Sequence, residues 1–185
     1  MIFACQYRRR VQPFRARALC AGMFVAASLL GLNAAASPAD DAAPPEGARS
    51  LNAGELHALF AGKSWKWQDG AGLMQDKGRI FKAWSGSGDT EAVATGRWSV
   101  ADSGLFCLKA DWKNSSGVYP DTTCFRHKMS GRIIYQKREP DGPWYVFRHS
   151  PSRPSDEASR IVADDLVSSK IKEWTSKRSF SGGRT

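Results

Sequence analysis

From Trp65 onward, apolar and polar residues alternate with a period of two, interrupted at short intervals by Gly, Asp and Ser. This is the pattern of half-buried antiparallel strands. The runs predict strands near Ser64–Gln68, Arg79–Trp84, Ala92–Val100, Leu105–Lys113, Thr122–Met129, Arg132–Arg138 and Trp144–His149. Turns are marked at Asp69-Gly70, Ser130-Gly131 and Asp141-Gly142. No long helical pattern separates the strands, so a parallel sheet is not expected. A meander of this kind must cover or close its edges, and a closed or nearly closed barrel does so most simply.

Helical signals flank the strands. In "LNAGELHALFAGKSW", Asn52 is placed to cap a helix with Glu55 three residues on, and Leu51 and Leu56 occupy the staple positions. A short helix over Ala53–Phe60, ended by Gly62, is expected. After "SPSRPS", Ser155 can cap a second helix running to Trp174 in one or two pieces, with Ala163, Val167, Ile171 and Trp174 as its apolar stripe. The stripe is expected to pack on the outside of the barrel; weak contact with a membrane surface is the other use of such a helix.

The stretch "GLFCLKADWKNSSGVYPDTTCFRHKM" reads as one hairpin. Alternation puts Phe106, Leu108, Ala110 and Trp112 on one face of its first strand, and Phe125, His127 and Met129 on the same face of its second. Cys107, Lys109, Cys124 and Arg126 take the other face. Pairing Cys107 with Cys124 sets Phe106 against Phe125 and Trp112 against Tyr119, and leaves Ser115-Ser116 as a two-residue turn. A wider loop over Asn114–Pro120 would also keep the pair together. The cysteines then fall at a non-hydrogen-bonded position, where side chains approach most closely. A one-residue slip would exchange the faces and bury several charges.

The ends of the chain set the compartment. Arg8, Arg9, Arg10, Arg15 and Arg17 precede an apolar run, Ala18–Leu32, and the small-residue site Ala34-Ala35-Ala36. This is the layout of a signal peptide, with cleavage expected before Ser37. The apolar run falls short of the roughly 20 residues that span a bilayer. Residues 1–36 are therefore read as a leader, 37–50 as a mobile linker, 51–178 as one barrel domain with flanking helices and 179–185 as a disordered tail. Cys5 and Cys20 leave with the leader, and in an exported chain the remaining Cys107 and Cys124 are expected to form a disulfide. The histidines His57, His127 and His149 are scattered and no C-x-x-C occurs, so no metal centre and no cofactor is expected. The formal charge of +9 includes the five leader arginines, and without them it is +4. A nucleic-acid partner is not expected on that charge, nor is a stable membrane span once the leader is removed.

The segments "LFAGKSWKWQDG", "GRWSV", "GLFC" and "TTCF", in this order, resemble an uncharacterised proteobacterial envelope family known as domain of unknown function nine-nine-five, over roughly Leu51 to Lys177. That family implies no activity. The short helix followed by a Gly and a Trp at the first strand is more distantly similar to lipocalin and calycin barrels, although Gly62-Lys63-Ser64-Trp65 has one residue more than their usual G-x-W. The likeness implies a structural Trp65 with Arg148 packed across it.

No nucleophile elbow, zinc-protease motif or phosphate loop is present. Asp69, Asp89, Glu91, Asp102 and Asp141 fall mainly at predicted turns, where Asp serves conformation. A non-enzymatic, periplasmic or secreted binding module is the expected function. Its interior would carry Trp98, Trp112, Phe125 and His127, and its partner would be a small apolar ligand or an envelope protein. An inhibitor of an envelope or secreted hydrolase, presenting the 37–50 arm, is the rival reading; an enzyme of envelope polymers is the third. Trp112→Ala is expected to damage folding by about 3–5 kcal/mol, as large-to-small aromatic changes do.

Overall fold

The computed structural model describes residues 43–181. The leader, its cleavage site, Cys5, Cys20 and the start of the linker lie outside the described residues, as do residues 182–185. The elements run β1 (Arg49–Ser50), α1 (Ala53–Phe60), β2 (Lys63–Trp67), β3 (Gly70–Met74), β4 (Ile80–Ser85), β5 (Ala92–Val100), β6 (Leu105–Lys113), β7 (Val118–Ser130), β8 (Ile133–Arg138), β9 (Tyr145–Arg148), β10 (Ile161–Val162) and α2 (Ser168–Ser181). Antiparallel neighbours follow the order β10-β2-β3-β4-β5-β6-β7-β8-β9, and β1 pairs with β7 beyond the start of β6. Among the described residues no ladder joins β9 to β10. The sheet is thus a curled half-barrel with a seam, and Glu157, from the 3-10 turn Glu157–Arg160, reaches across it to accept from Trp65 Nε1 at 2.7 Å.

Curling follows from the inward faces. Trp65 on β2 meets Phe125 on β7 at 5.0 Å between ring centroids and stands edge-on to Phe147 on β9 at 6.5 Å. Strands near both ends of the sheet therefore share one core. The core is completed by α1, which lies within the concave side. Its start is held as the sequence predicts: Asn52 Oδ1 accepts from Glu55 N, Glu55 Oε2 accepts from Asn52 N, and both staple leucines are buried. Asp102, in the β5–β6 turn, also accepts from Ala53 N at 2.9 Å. Phe60 is fully buried and stacks on Phe106 at 4.0 Å with an interplanar angle of 5°. Helix α1 plugs one end of the half-barrel, an arrangement the sequence does not announce.

The β6–β7 hairpin has the predicted register, with Cys107 opposite Cys124, Phe106 opposite Phe125 and Trp112 opposite Tyr119. Asn114 Oδ1 receives Ser116 N and Gly117 N, which fixes the two-residue turn in preference to a wider loop. The Cys107–Cys124 disulfide bridges strands whose Cα atoms are 4.1 Å apart there, as suits a non-hydrogen-bonded pair. Strand β8 covers β7 only from Phe125 onward, so Pro120 sits where one side of β7 has no neighbour.

Several expectations are corrected. Strand β3 went unread because its sequence, Gly70-Ala71-Gly72-Leu73-Met74, lacks the β-branched and aromatic residues that mark strands. Its glycines are steric necessities, since a Cβ on Gly70 would lie 2.3 Å from Trp67 Nε1 and one on Gly72 2.6 Å from the Phe81 ring. The described end of the linker is held by Arg49, which pairs with Glu55 at 2.6 Å, and by the β1–β7 ladder. The helix expected from Ser155 is replaced by the 3-10 turn, β10 and a bend. Ser64 Oγ donates to Asp164 O while accepting from Leu166 N, which ties this segment to β2 in extended form. Asp165 then receives Val167 N and Ser168 N at the entry to α2. Ala163 is exposed and outside the helix, whereas Val167 is buried with Ala71 and Leu73, and Trp84 and Ile171 pack against them on the convex side of the sheet. The helix continues to Ser181, so residues 179–181 of the expected tail are helical. Among the described residues no helix is long and apolar enough to cross a membrane.

Candidate binding face at the open end

The ladders sort the concave face into two ends. Near α1 lie Met74, Phe81, Phe106, His127 and Ile134, all buried. At the other end lie the last residues of β2, β4 and β6 and the first of β3, β5 and β7. Here the inward alternation continues through Trp67, Leu108, Trp112, Phe125 and Tyr119, but among the described residues no element covers these side chains as α1 covers the other end. Leu108, Trp112 and Phe125 are only partly buried, and Tyr119 is 42% exposed. Thr123 and Asp121 add a polar edge, with Thr123 Oγ1 donating to Asp121 Oδ2 at 3.1 Å.

Trp98, Trp112, Phe125 and His127 accordingly share one face but not one environment. Trp98 is sealed: its Nε1 donates to Gln75 O at 2.8 Å, and the Arg79 guanidinium covers its ring at 4.7 Å. His127 is also sealed, and its hydrogen bonds are complete. Gln136 Nε2 donates to His127 Nε2 at 2.6 Å, Tyr145 Oη donates to Gln136 Oε1, and His127 Nδ1 donates to Gly104 O at 3.4 Å. This chain of donors suits a neutral imidazole protonated on Nδ1. Burial pushes the imidazole down to about 4 and holds the Tyr145 phenol well above its usual value. A base depressed in this way favours the unfolded state on acidification. Stability supplied by neutral His127 is complete above about pH 6.5 and is lost as pH falls from there to about 4. Urea melts of wild type and His127→Gln across this window should show the wild type losing the more stability; parallel losses would contradict the burial assignment.

Sequence reasoning missed the partners of His127, although a turn at Gly131-Arg132, one residue beyond the predicted Ser130-Gly131, sets Gln136 opposite it by counting. It also missed Trp67, which reaches the concave face only because Gly70 and Gly72 leave room for it. Trp65 is buried in the core, and the ring across it is Phe147. Arg148, next along β9, lines a depression beside the β9–β10 connection. On the convex face, Arg126 pairs with Glu139 and holds that carboxyl below its usual range. Lys128 and Lys137 approach the Trp144 ring at 6.0 and 5.7 Å.

A family model described as protein of unknown function, DUF995, matches residues 26–167. The chain belongs to this family. The DUF995 match takes in every strand and all the open-end residues named above, and it ends where α2 is about to begin, short of the Lys177 limit expected from sequence motifs. No curated protein and no solved structure matches the chain.

Proposed function

We propose that this DUF995 chain is an exported, non-catalytic binding module of the cell envelope that takes a small apolar ligand, or apolar side chains of an envelope protein, at the open end of its half-barrel. The observation that carries this reading is the contrast between the two ends: one is filled by Phe60 and Leu56 from α1, while the other leaves Trp112 and Phe125 only partly buried and Tyr119 exposed. Apolar concavities with a few polar groups at the rim are the usual form of small-molecule sites. Export is supported by the leader pattern and accords with the Cys107–Cys124 bridge.

The test is titration of the chain lacking residues 1–36 with phenylnaphthylamine, a neutral fluorescent apolar probe. Saturable binding is expected, weakened at least about tenfold by Trp112→Ala. Because Trp112 is only partly buried, that substitution should cost about 1–2 kcal/mol of stability, less than the expectation from sequence. Undiminished probe binding by a folded Trp112→Ala variant would contradict the assignment.

A further inference from the structure

The β9–β10 connection gathers charge beside the seam. Asp156 is 3% exposed, and both of its carboxylate oxygens are occupied: Oδ2 accepts from His149 N and Arg153 N at 2.9 Å, and Oδ1 accepts from His149 Nδ1. Glu157 is taken by Trp65 Nε1 and by Arg160 at 3.4 Å. These contacts use the local acids and fix the loop, yet they leave two cations over. Among the described residues, neither the half-buried Arg148 nor the exposed Arg153 has a hydrogen-bonding or acidic partner for its guanidinium group. Both line one open depression of about 400 Å³, with Pro154 and Ala158 as apolar wall; Ser152 adds a hydroxyl, while Ser159 Oγ donates its proton to Pro154 O at 2.8 Å. Asp156 contributes to the same wall, with its oxygens already facing three N–H groups.

Keeping a half-buried guanidinium without a counter-charge is unfavourable. The half-buried Arg148 and the exposed Arg153 beside it, with the Ser152 hydroxyl, suit an oxyanion that accepts several hydrogen bonds at once. A phosphate group near neutral pH carries close to two negative charges and offers three acceptor oxygens, so it can engage both forks where a carboxylate would neutralise only one. The depression is also larger than a bare ion needs and falls in the range of small-molecule sites. We propose that this depression, separate from the open end, binds a phosphate group, as the free ion or as a small phosphate monoester.

Isothermal titration of the chain lacking residues 1–36 with inorganic phosphate and with glycerol phosphate, at low ionic strength, tests the site and separates its two sources. Saturable one-to-one binding of either probe is expected, tighter for glycerol phosphate if the Pro154–Ala158 wall contributes. Arg148→Gln and Arg153→Gln should each weaken it at least about tenfold, whereas Lys172→Gln, which removes the same charge from an exposed position on α2, should change it less than about twofold. Arg153 is exposed, so its variant is expected to fold and reports binding even if Arg148→Gln proves unstable. Absence of saturable binding by both probes at millimolar concentration, or undiminished binding by Arg153→Gln, would overturn the proposal.

Discussion

Phe106→Ala is expected to lower the unfolding free energy by about 3–5 kcal/mol, the range for deleting a fully buried aromatic side chain. Phe106 has no exposed surface, stacks on Phe60 at 4.0 Å and lies within 6.4 Å of the rings of Trp65, Trp98, Phe125 and His127. It is the point at which α1 meets the sheet, so its loss leaves a cavity that backbone hydrogen bonding prevents from collapsing. Chemical denaturation checks the value, and near-ultraviolet circular dichroism should show the aromatic core loosening. A cost below about 1 kcal/mol would mean that α1 does not plug the half-barrel.

Replacing both Cys107 and Cys124 with Ser should remove about 3 kcal/mol at most, because the bridge restricts a loop with a sequence separation of only 17 residues. The pair faces outward, away from the concave side, so probe binding at a temperature where the variant is folded should persist. Free thiols in the folded exported protein, or a variant as stable as wild type, would contradict a structural bridge.

Most of the meander was legible because two-residue alternation and turn residues are local signals. The hairpin register followed from setting Cys107 opposite Cys124, which leaves Ser115-Ser116 as the turn, and α1 from the Asn52–Glu55 box and the Leu51–Leu56 staple. What stayed hidden depends on distant partners. Strand β3 is glycine-rich because Trp67 and Phe81 need the space, and nothing within β3 reveals them. The Ser155–Val167 segment carries good helical signals, but Ser64 and the edge of β2 hold part of it extended. The docking of α1 inside the concavity could not be read from its own short stripe, and so the division into a sealed and an open end was missed. Trp98, Trp112, Phe125 and His127 were grouped on one face from alternation alone. Partners distant in sequence, α1 over His127 and Gln75 with Arg79 at Trp98, separate this buried pair from the partly buried Trp112 and Phe125.

Ligand binding at the open end of the concave face is tested most directly by a nuclear magnetic resonance titration of the chain lacking residues 1–36 with phenylnaphthylamine, following the indole N–H signals of the tryptophans. Progressive shifts are expected for the partly buried Trp67, whose N–H donates to Ser85 Oγ at 3.3 Å, and for Trp112 at the open end, with the buried Trp65 and Trp98 unmoved, their N–H groups held by Glu157 and Gln75. Shifts confined to Trp65 and Trp98, or a saturable complex that moves none of the four, would contradict binding at the open end.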